Sequence, residues 1–285
     1  MRSAIFIIGV LCSGWICAQS NPMRIVSEKV LYKQVDTTSL YLHVYHPLDF
    51  KPGKKYSAIM FIHGGGWNQG SYKAFNRQCM YFASRGMITL SIDYRVKNVH
   101  GTTPFDATED AVDAYQYVIE HSKELNIDKK NVVSGGGSAG GHLATAIAFR
   151  TSKRHLPKAL LLFNPVLDTG PDGFGFRRME GRFEEISPIE NIGKNHPPTI
   201  IMVGTKDKVL PVTTAKHYKE LVEQQGQKCK LVLYKDQEHS FFNRKEFFVD
   251  TVLESDLFLK ELGMIEGEAT IQDQIGYYEV EKVVD

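Results

Sequence analysis

An α/β fold, with a mainly parallel central sheet, helices on both of its faces and one short cap-like insertion, is what this sequence predicts. Three observations carry that expectation. Six short runs, "SAIMFIH", "MITLSIDY", "NVVSG", "KALLLFNP", "PTIIMVGT" and "CKLVLYK", are continuously apolar rather than alternating, and strands that read this way are covered on both faces, as parallel sheets are. Amphipathic stretches of helical period lie between the runs, near residues 72–85, 104–125, 138–150, 212–225 and 246–262, and strand–helix alternation is the mark of layered crossover units. With 285 residues, 42% hydrophobic and 24% charged, the chain has the composition of one globular domain with a full core, not of a fibre or a disordered polymer.

In chain order, residues 1–20, "MRSAIFIIGVLCSGWICAQS", carry one charge at Arg2, a short apolar stretch and then small residues at Ala18 and Ser20. That pattern reads as a cleaved export signal, and it predicts a periplasmic or secreted protein. Residues 21–285 then form the single domain, and no later segment approaches the roughly 20 apolar residues of a membrane span. Cleavage removes Arg2, so the formal charge of +1 falls to 0. No basic face remains for nucleic acid, and the expected partner is a small or neutral molecule. Cys12 and Cys17 leave with the signal; Cys79, on a helix, and Cys229, at the start of a late strand, are expected to be free, buried thiols.

After the signal, "KVLYKQV" and "SLYLHVYHP" alternate as a half-buried hairpin does. His43 and His46 sit there at a spacing that puts them on opposite faces, which argues against a shared metal. Asp106, Glu109, Asp110 and Asp113 line one face of the second amphipathic stretch. Thr103 as a cap, Pro104 in the first turn and acids near a helix N-terminus explain them without a cation. Asp93 and Arg95 of "DYR" are expected to pair. The long irregular segment at about 167–196 would be the cap-like insertion, and the acidic tail at about 266–285 suggests no role.

Ligands of open α/β sheets bind in the loops at the carboxyl ends of the strands. Four such loops are conspicuous. "FIHGGGWNQGS" places Gly64, Gly65 and Gly66 directly after an apolar run, and a triplet without side chains is costly unless something must approach the backbone. "NVVSGGGSAGGHLATAIAF" is a G-x-S-x-G pattern, Gly136 to Gly140, between strand and helix. In that context the glycines make a sharp turn that presents the Ser138 hydroxyl beside the free N–H groups of a helix N-terminus. A hydroxyl nucleophile needs a base, and the base needs an acid to orient it. "IIMVGTKDKVLP" supplies Asp207 and "LVLYKDQEHSFF" supplies His239, each just past a strand. Asp236 and Glu238 are alternatives for the acid, but they share a short loop with His239. The order Ser, Asp, His at strand ends is that of the α/β-hydrolase design.

The glycine triplet then has a purpose. Acyl transfer through a serine builds charge on the carbonyl oxygen, and backbone N–H groups can stabilise it by roughly 2.7–4 kcal/mol per donor. The expected donors are Gly65, Gly66 and Ala139, with Gly64 a further candidate and His63 an anchor of the loop. His142, in the first turn of the nucleophile helix, is expected to pack.

The pieces "HGGGW", "SIDYR" (91–95), "PFDATEDA" (104–111), "GGSAGGHLA" (136–144), "GTKDKVLP" and "EHSFFN" together resemble the α/β-hydrolase superfamily. Within it they resemble the bacterial hormone-sensitive-lipase-like and acetyl-esterase branch, over residues 60 to about 243. The resemblance implies a cofactor-free serine esterase with Ser138, His239 and Asp207 as its triad. One departure is Gly137, where the hormone-sensitive-lipase branch usually has Asp; this favours relatives that remove acetyl or feruloyl groups from carbohydrates. Short acyl groups, acetyl foremost, are expected from the resemblance and from the bulk of Trp67 beside the oxyanion loop. In "DGFGFRRMEGRF", Phe176 and Arg177 are the candidates to stack on and hydrogen-bond a sugar. An amidase or formamidase would use the same residues, and some relatives are receptors that have lost the catalytic histidine; His239 is present here.

Overall fold

The computed structural model describes residues 27–283, so the expected export signal at residues 1–20 lies outside the described residues. Nine strands form one sheet among them: β1 (Ser27–Val35), β2 (Thr38–Tyr45), β3 (Tyr56–Ile62), β4 (Ile88–Ile92), β5 (Ile127–Gly137), β6 (Leu160–Phe163), β7 (Thr199–Gly204), β8 (Cys229–Tyr234) and β9 (Lys282–Val283). Their order across the sheet is β1-β2-β4-β3-β5-β6-β7-β8-β9. The six strands from β4 to β8 in that order are mutually parallel, and antiparallel β1–β2, β2–β4 and β8–β9 pairings complete the two edges.

The apolar runs are continuous because both faces are covered. Ala58, Met60 and Ile62 of β3 point into one core with Leu143 and Ile147, while Ile59 and Phe61 point into the other with Phe82 and Phe248. The first face carries α3 (Pro104–Glu120), α4 (Ala139–Arg150) and α5 (Val212–Gln224); the second carries α1 (Asn76–Ser84) and α6 (Lys245–Glu261). The single turn α2 (Lys97–His100) and the short α7 (Ile271–Ile275) complete the helices described. All five expected helices are present within a few residues. The cap on α3 is reciprocal, Thr103 Oγ1 accepting from Asp106 N–H while the Asp106 carboxylate accepts from Thr103 N–H.

Two expectations about ionic groups change. Arg95 does not pair with Asp93: it grips Asp110 through Nε and Nη2, both at 2.8 Å, and Asp93 takes His43 at 3.0 Å. Both residues lie just past the end of β4, where β2 brings His43 to Asp93 and α3 brings Asp110 to Arg95. The acidic stripe of α3 is neutralised by Arg95 and by Lys33, which reaches Asp110 at 2.8 Å. Cys79 lies on α1 and Cys229 opens β8, both buried and free.

The insertion at 167–196 holds three 3₁₀ turns, Phe176–Arg178, Phe183–Glu185 and Pro188–Asn191. Buried Met179 and Ile186 pin it to the domain. The tail has a place after all. Helix α7 packs Ile271 into the second core, and β9 joins the sheet edge, where Lys282 pairs with Asp250 at 2.9 Å.

Candidate active site

Strands β3, β5, β6, β7 and β8 are consecutive neighbours, and the loops at their carboxyl ends meet over one cavity of about 600 Å³. The turn after β5 is the sharpest. Ser138 sits at φ 54, ψ −124, a strained conformation for a residue with a side chain, and it caps α4. Gly136 and Gly140 make that turn possible. A Cβ on Gly140 would stand 2.0 Å from Ile62 O, and one on Gly136 would stand 2.4 Å from Gly140 O. Strand, turn and helix are therefore in backbone contact, and the serine is forced outward.

His239 Nε2 lies 2.9 Å from Ser138 Oγ, and its Nδ1 lies 2.8 Å from Asp207 Oδ2. The carboxylate is fixed in turn, with Oδ1 accepting the N–H groups of Val209 and Leu210 at 2.8 and 2.9 Å. Asp207 has no side-chain exposure, whereas 23% of the His239 side chain is open to the cavity. A carboxylate on Nδ1 stabilises the tautomer with its proton there, which leaves Nε2 free to take the serine proton. The alternative acids are elsewhere: Asp236 pairs with Lys206 at 3.0 Å and Glu238 is exposed.

Asn164, which follows β6, was not anticipated. It is fully buried at φ 36, its Oδ1 accepts the N–H of Ser240, and its Nδ2 approaches His239 Nε2 at 3.4 Å. It thereby steadies the loop that carries the histidine. A lone polar residue between an apolar strand and a proline, "LLLFNP", is the sequence signal that could have marked it.

Each glycine of the triplet has a separate steric reason. A Cβ on Gly64 would lie 2.8 Å from Gly137 O; Gly65 has φ 109 with Gln69 O 1.9 Å from its would-be Cβ; Gly66 has φ 61. Gly65 and Gly66 line the cavity, and among the described residues no acceptor engages their N–H groups. Ala139 opens α4 beside them, so its N–H has no intrahelical acceptor. These three N–H groups border the same cavity and turn as Ser138. Below the loop, His63 donates from Nδ1 to Gly64 O at 2.8 Å and stacks on Tyr94. Burial pushes its pKa down to about 4, as it does for His142.

The expected substrate contacts need correction. Trp67 does not line the cavity: it is 1% exposed, lies against His142 at 5.0 Å in an edge-on contact, and belongs to the first core. Its φ of 59 turns the side chain away from the reacting centre and under the loop. Phe176 and Arg177 also miss the site. Gly175, at φ 81, starts a 3₁₀ turn that points Phe176 at Phe183 and Arg177 into solvent. Their neighbours take the inward places, Phe174 on the cavity wall and Arg178 folded over Trp67. Gly137 has a local cause as well. A Cβ there would meet Phe242 Cζ at 2.8 Å, and Phe242 with Phe75 forms the wall beside Ser138.

A sheet of this order with a serine elbow, a histidine and a carboxylate on successive strand ends defines an α/β-hydrolase. The BD-FAE family model matches residues 42–167. An esterase of Thermogutta terrifontis, solved with propionate bound, superposes with a TM-score of 0.79 at 35% identity over 85% of this chain and 96% of that one. The chain belongs to the esterases of the α/β-hydrolase superfamily. It is also similar to an esterase of Gibberella moniliformis, 30% identical over 53% of this chain and 57% of that protein. An acetylxylan esterase of Xylanibacter ruminicola is 25% identical over 65% of this chain and 41% of that one. The chain thus spans about half the length of the curated relatives it matches.

Proposed function

We propose that this protein is a serine carboxylesterase acting on short acyl esters, acetyl foremost, with a carbohydrate as a candidate alcohol half. The observation that carries the reading is the continuous relay from Ser138 Oγ through His239 to Asp207, at 2.9 and 2.8 Å. Ser138 attacks the ester carbonyl while His239 Nε2 takes its proton. The new oxyanion is held by the N–H groups of Gly65, Gly66 and Ala139, and Asp207 stabilises the imidazolium. Collapse of the intermediate expels the alcohol, which leaves with the proton from His239, and the acyl group stays on Ser138. Water, deprotonated by the same nitrogen, then releases the acid.

The short-acyl preference is supported by the aromatic wall of Phe75 and Phe242 against Ser138. It is supported too by relatives described as an ethyl acetate hydrolase and an acetylxylan esterase. Export to the periplasm or medium rests on residues 1–20. The test is hydrolysis of p-nitrophenyl esters from acetate to octanoate beside the matching anilides, with Ser138→Ala as the blank. The reading expects acetate to butyrate to be cleaved fastest, anilides far more slowly, and the blank to be inert. Anilides cleaved as fast as esters would make it an amidase, and no turnover of either would remove the enzyme reading.

A further inference from the structure

Every carbonyl of the loop at 63–68 is held, and by different parts of the fold. Tyr94 Oη donates to His63 O at 3.0 Å and His63 Nδ1 to Gly64 O at 2.8 Å. The N–H groups of Asn68 and Gln69 reach Gly65 O at 3.0 and 3.3 Å; Lys97 N–H reaches Trp67 O and Asn98 N–H reaches Asn68 O, both at 3.0 Å. Gly66 O differs in kind. Its partner among the described residues is a cation from the insertion, Arg178 Nη1 at 2.6 Å, 112 positions further along the chain.

That peptide is the one under tension. Because a peptide is planar, turning the Gly66 carbonyl over changes ψ of Gly66 and φ of Trp67 together. Trp67 stands at φ 59, a region that bulky residues occupy only when their surroundings over-determine it. A flip of the 66–67 peptide by roughly 180° would carry Trp67 to a negative, ordinary φ. Gly66, without a Cβ, would not resist it. The lost bond to Arg178 does. The guanidinium is itself well seated: Nη1 also donates to Asn68 Oδ1 at 3.1 Å, and its carbon lies 4.9 Å from the Trp67 ring and 5.4 Å from the Phe174 ring. Gly175 leaves the room for it, since a Cβ there would come within 3.0 Å of Arg178 Nη2 and 3.1 Å of Trp67 Cζ3.

We propose that Arg178 is a positioning residue for the hydrolysis: from the insertion it clamps the Gly66–Trp67 peptide against a flip, so that the strained Trp67 cannot relax and pull the loop, and the N–H groups of Gly65 and Gly66 in the preceding peptides keep their aim at the reacting carbonyl oxygen. The proposal rests on the esterase reading of the site. Arg178 touches neither Ser138 nor the substrate's reacting atoms, so its effect falls on transition-state stabilisation and not on ground-state binding.

The experiment measures kcat and KM on a small aryl acetate for wild type, Arg178→Ala, Arg178→Lys and the exposed neighbour Arg177→Ala, with thermal melts of each. Arg178→Ala should lose about tenfold to a hundredfold in kcat with KM within about twofold, since one mis-set oxyanion donor costs at least that much. Methylguanidine at millimolar concentration should restore part of the loss, Arg178→Lys should recover most of it, and Arg177→Ala should match wild type. If Arg178→Ala does not fold, Arg178→Gln, which keeps the length of the side chain, takes its place under the same criteria. A folded variant with unchanged kcat, a loss confined to KM, or a loss that neither Lys nor methylguanidine relieves would overturn the clamp. An inert wild type would instead sink the esterase reading itself.

Discussion

Replacing Asp207 by Asn changes one atom type and should nearly silence the site. Oδ1 of Asp207 accepts two backbone N–H groups, from Val209 and Leu210, at 2.8 and 2.9 Å. An amide nitrogen cannot stand there, because it would face two donors. The side-chain oxygen of Asn must therefore keep that position, which turns its NH₂ toward His239 Nδ1, now 2.8 Å from Oδ2. Donor would face donor unless the imidazole moves its proton to Nε2, and an Nε2–H cannot accept the proton of Ser138. By analogy with the same substitution in a serine protease, kcat should fall about 10⁴-fold, equivalent to roughly 5.4 kcal/mol of barrier. The fold should survive, because the two backbone donors keep their acceptor, with a stability loss of about 1–3 kcal/mol for exchanging a charge-assisted bond. The assay is kcat on p-nitrophenyl acetate together with a urea melt, beside Glu238→Gln, whose exposed carboxylate should leave kcat within about twofold. A folded Asp207→Asn variant within tenfold of wild type, or a larger loss in Glu238→Gln, would refute the tautomer argument.

Gly140→Ala should destabilise the protein by at least about 3 kcal/mol by urea melt, since its Cβ would lie 2.0 Å from Ile62 O on a strand that cannot yield; a cost under about 1 kcal/mol would show that strand and helix can separate freely. Phe242→Ala should raise the butyrate-to-acetate rate ratio roughly tenfold or more, because the ring stands beside Gly137 on the cavity wall, whereas Trp67→Phe should leave the ratio unchanged and lower stability instead; the opposite pattern would return Trp67 to the substrate pocket. His63 and His142 are held near a pKa of about 4 against an ordinary 6.5. The unfolded chain therefore takes up protons first, and stability is full above about pH 6.5 and declines between 6.5 and 4 by up to about 3 kcal/mol per histidine. His142→Gln should flatten the melting temperature against pH across that window, and an unchanged slope would contradict the assignment.

Much of this was legible from the chain because the signals were redundant. Five amphipathic segments and six apolar runs fixed the layers, since burial on both faces leaves a pattern that length and continuity suffice to read. The elbow was legible for another reason: glycines at 136 and 140 leave a sequence mark wherever backbones touch. The contacts of the insertion were not. Between Gly173 and Met179 the chain has no period, so nothing separates Phe174 from Phe176 or Arg178 from Arg177 until Gly175 takes its positive φ. Trp67 misled for a related reason. Its place beside the glycines suggests a place beside the substrate, but a left-handed backbone turns the indole into the core. The partners of Asp93 and Arg95 depend on how β2 and α3 pack around the end of β4, which the letters "DYR" do not encode.

The central claim is that Ser138 is a nucleophile activated by His239, and covalent modification reads it directly. Paraoxon, whose phosphorus an activated serine hydroxyl attacks with loss of p-nitrophenolate, should add a single diethylphosphoryl group to this protein, at a rate that follows the loss of esterase activity. Peptide mass analysis should place the group on Ser138, and His239→Ala should slow the labelling by orders of magnitude while Ser138→Ala abolishes it. Labelling at another residue, or labelling of Ser138→Ala and wild type at equal rates, would contradict the account.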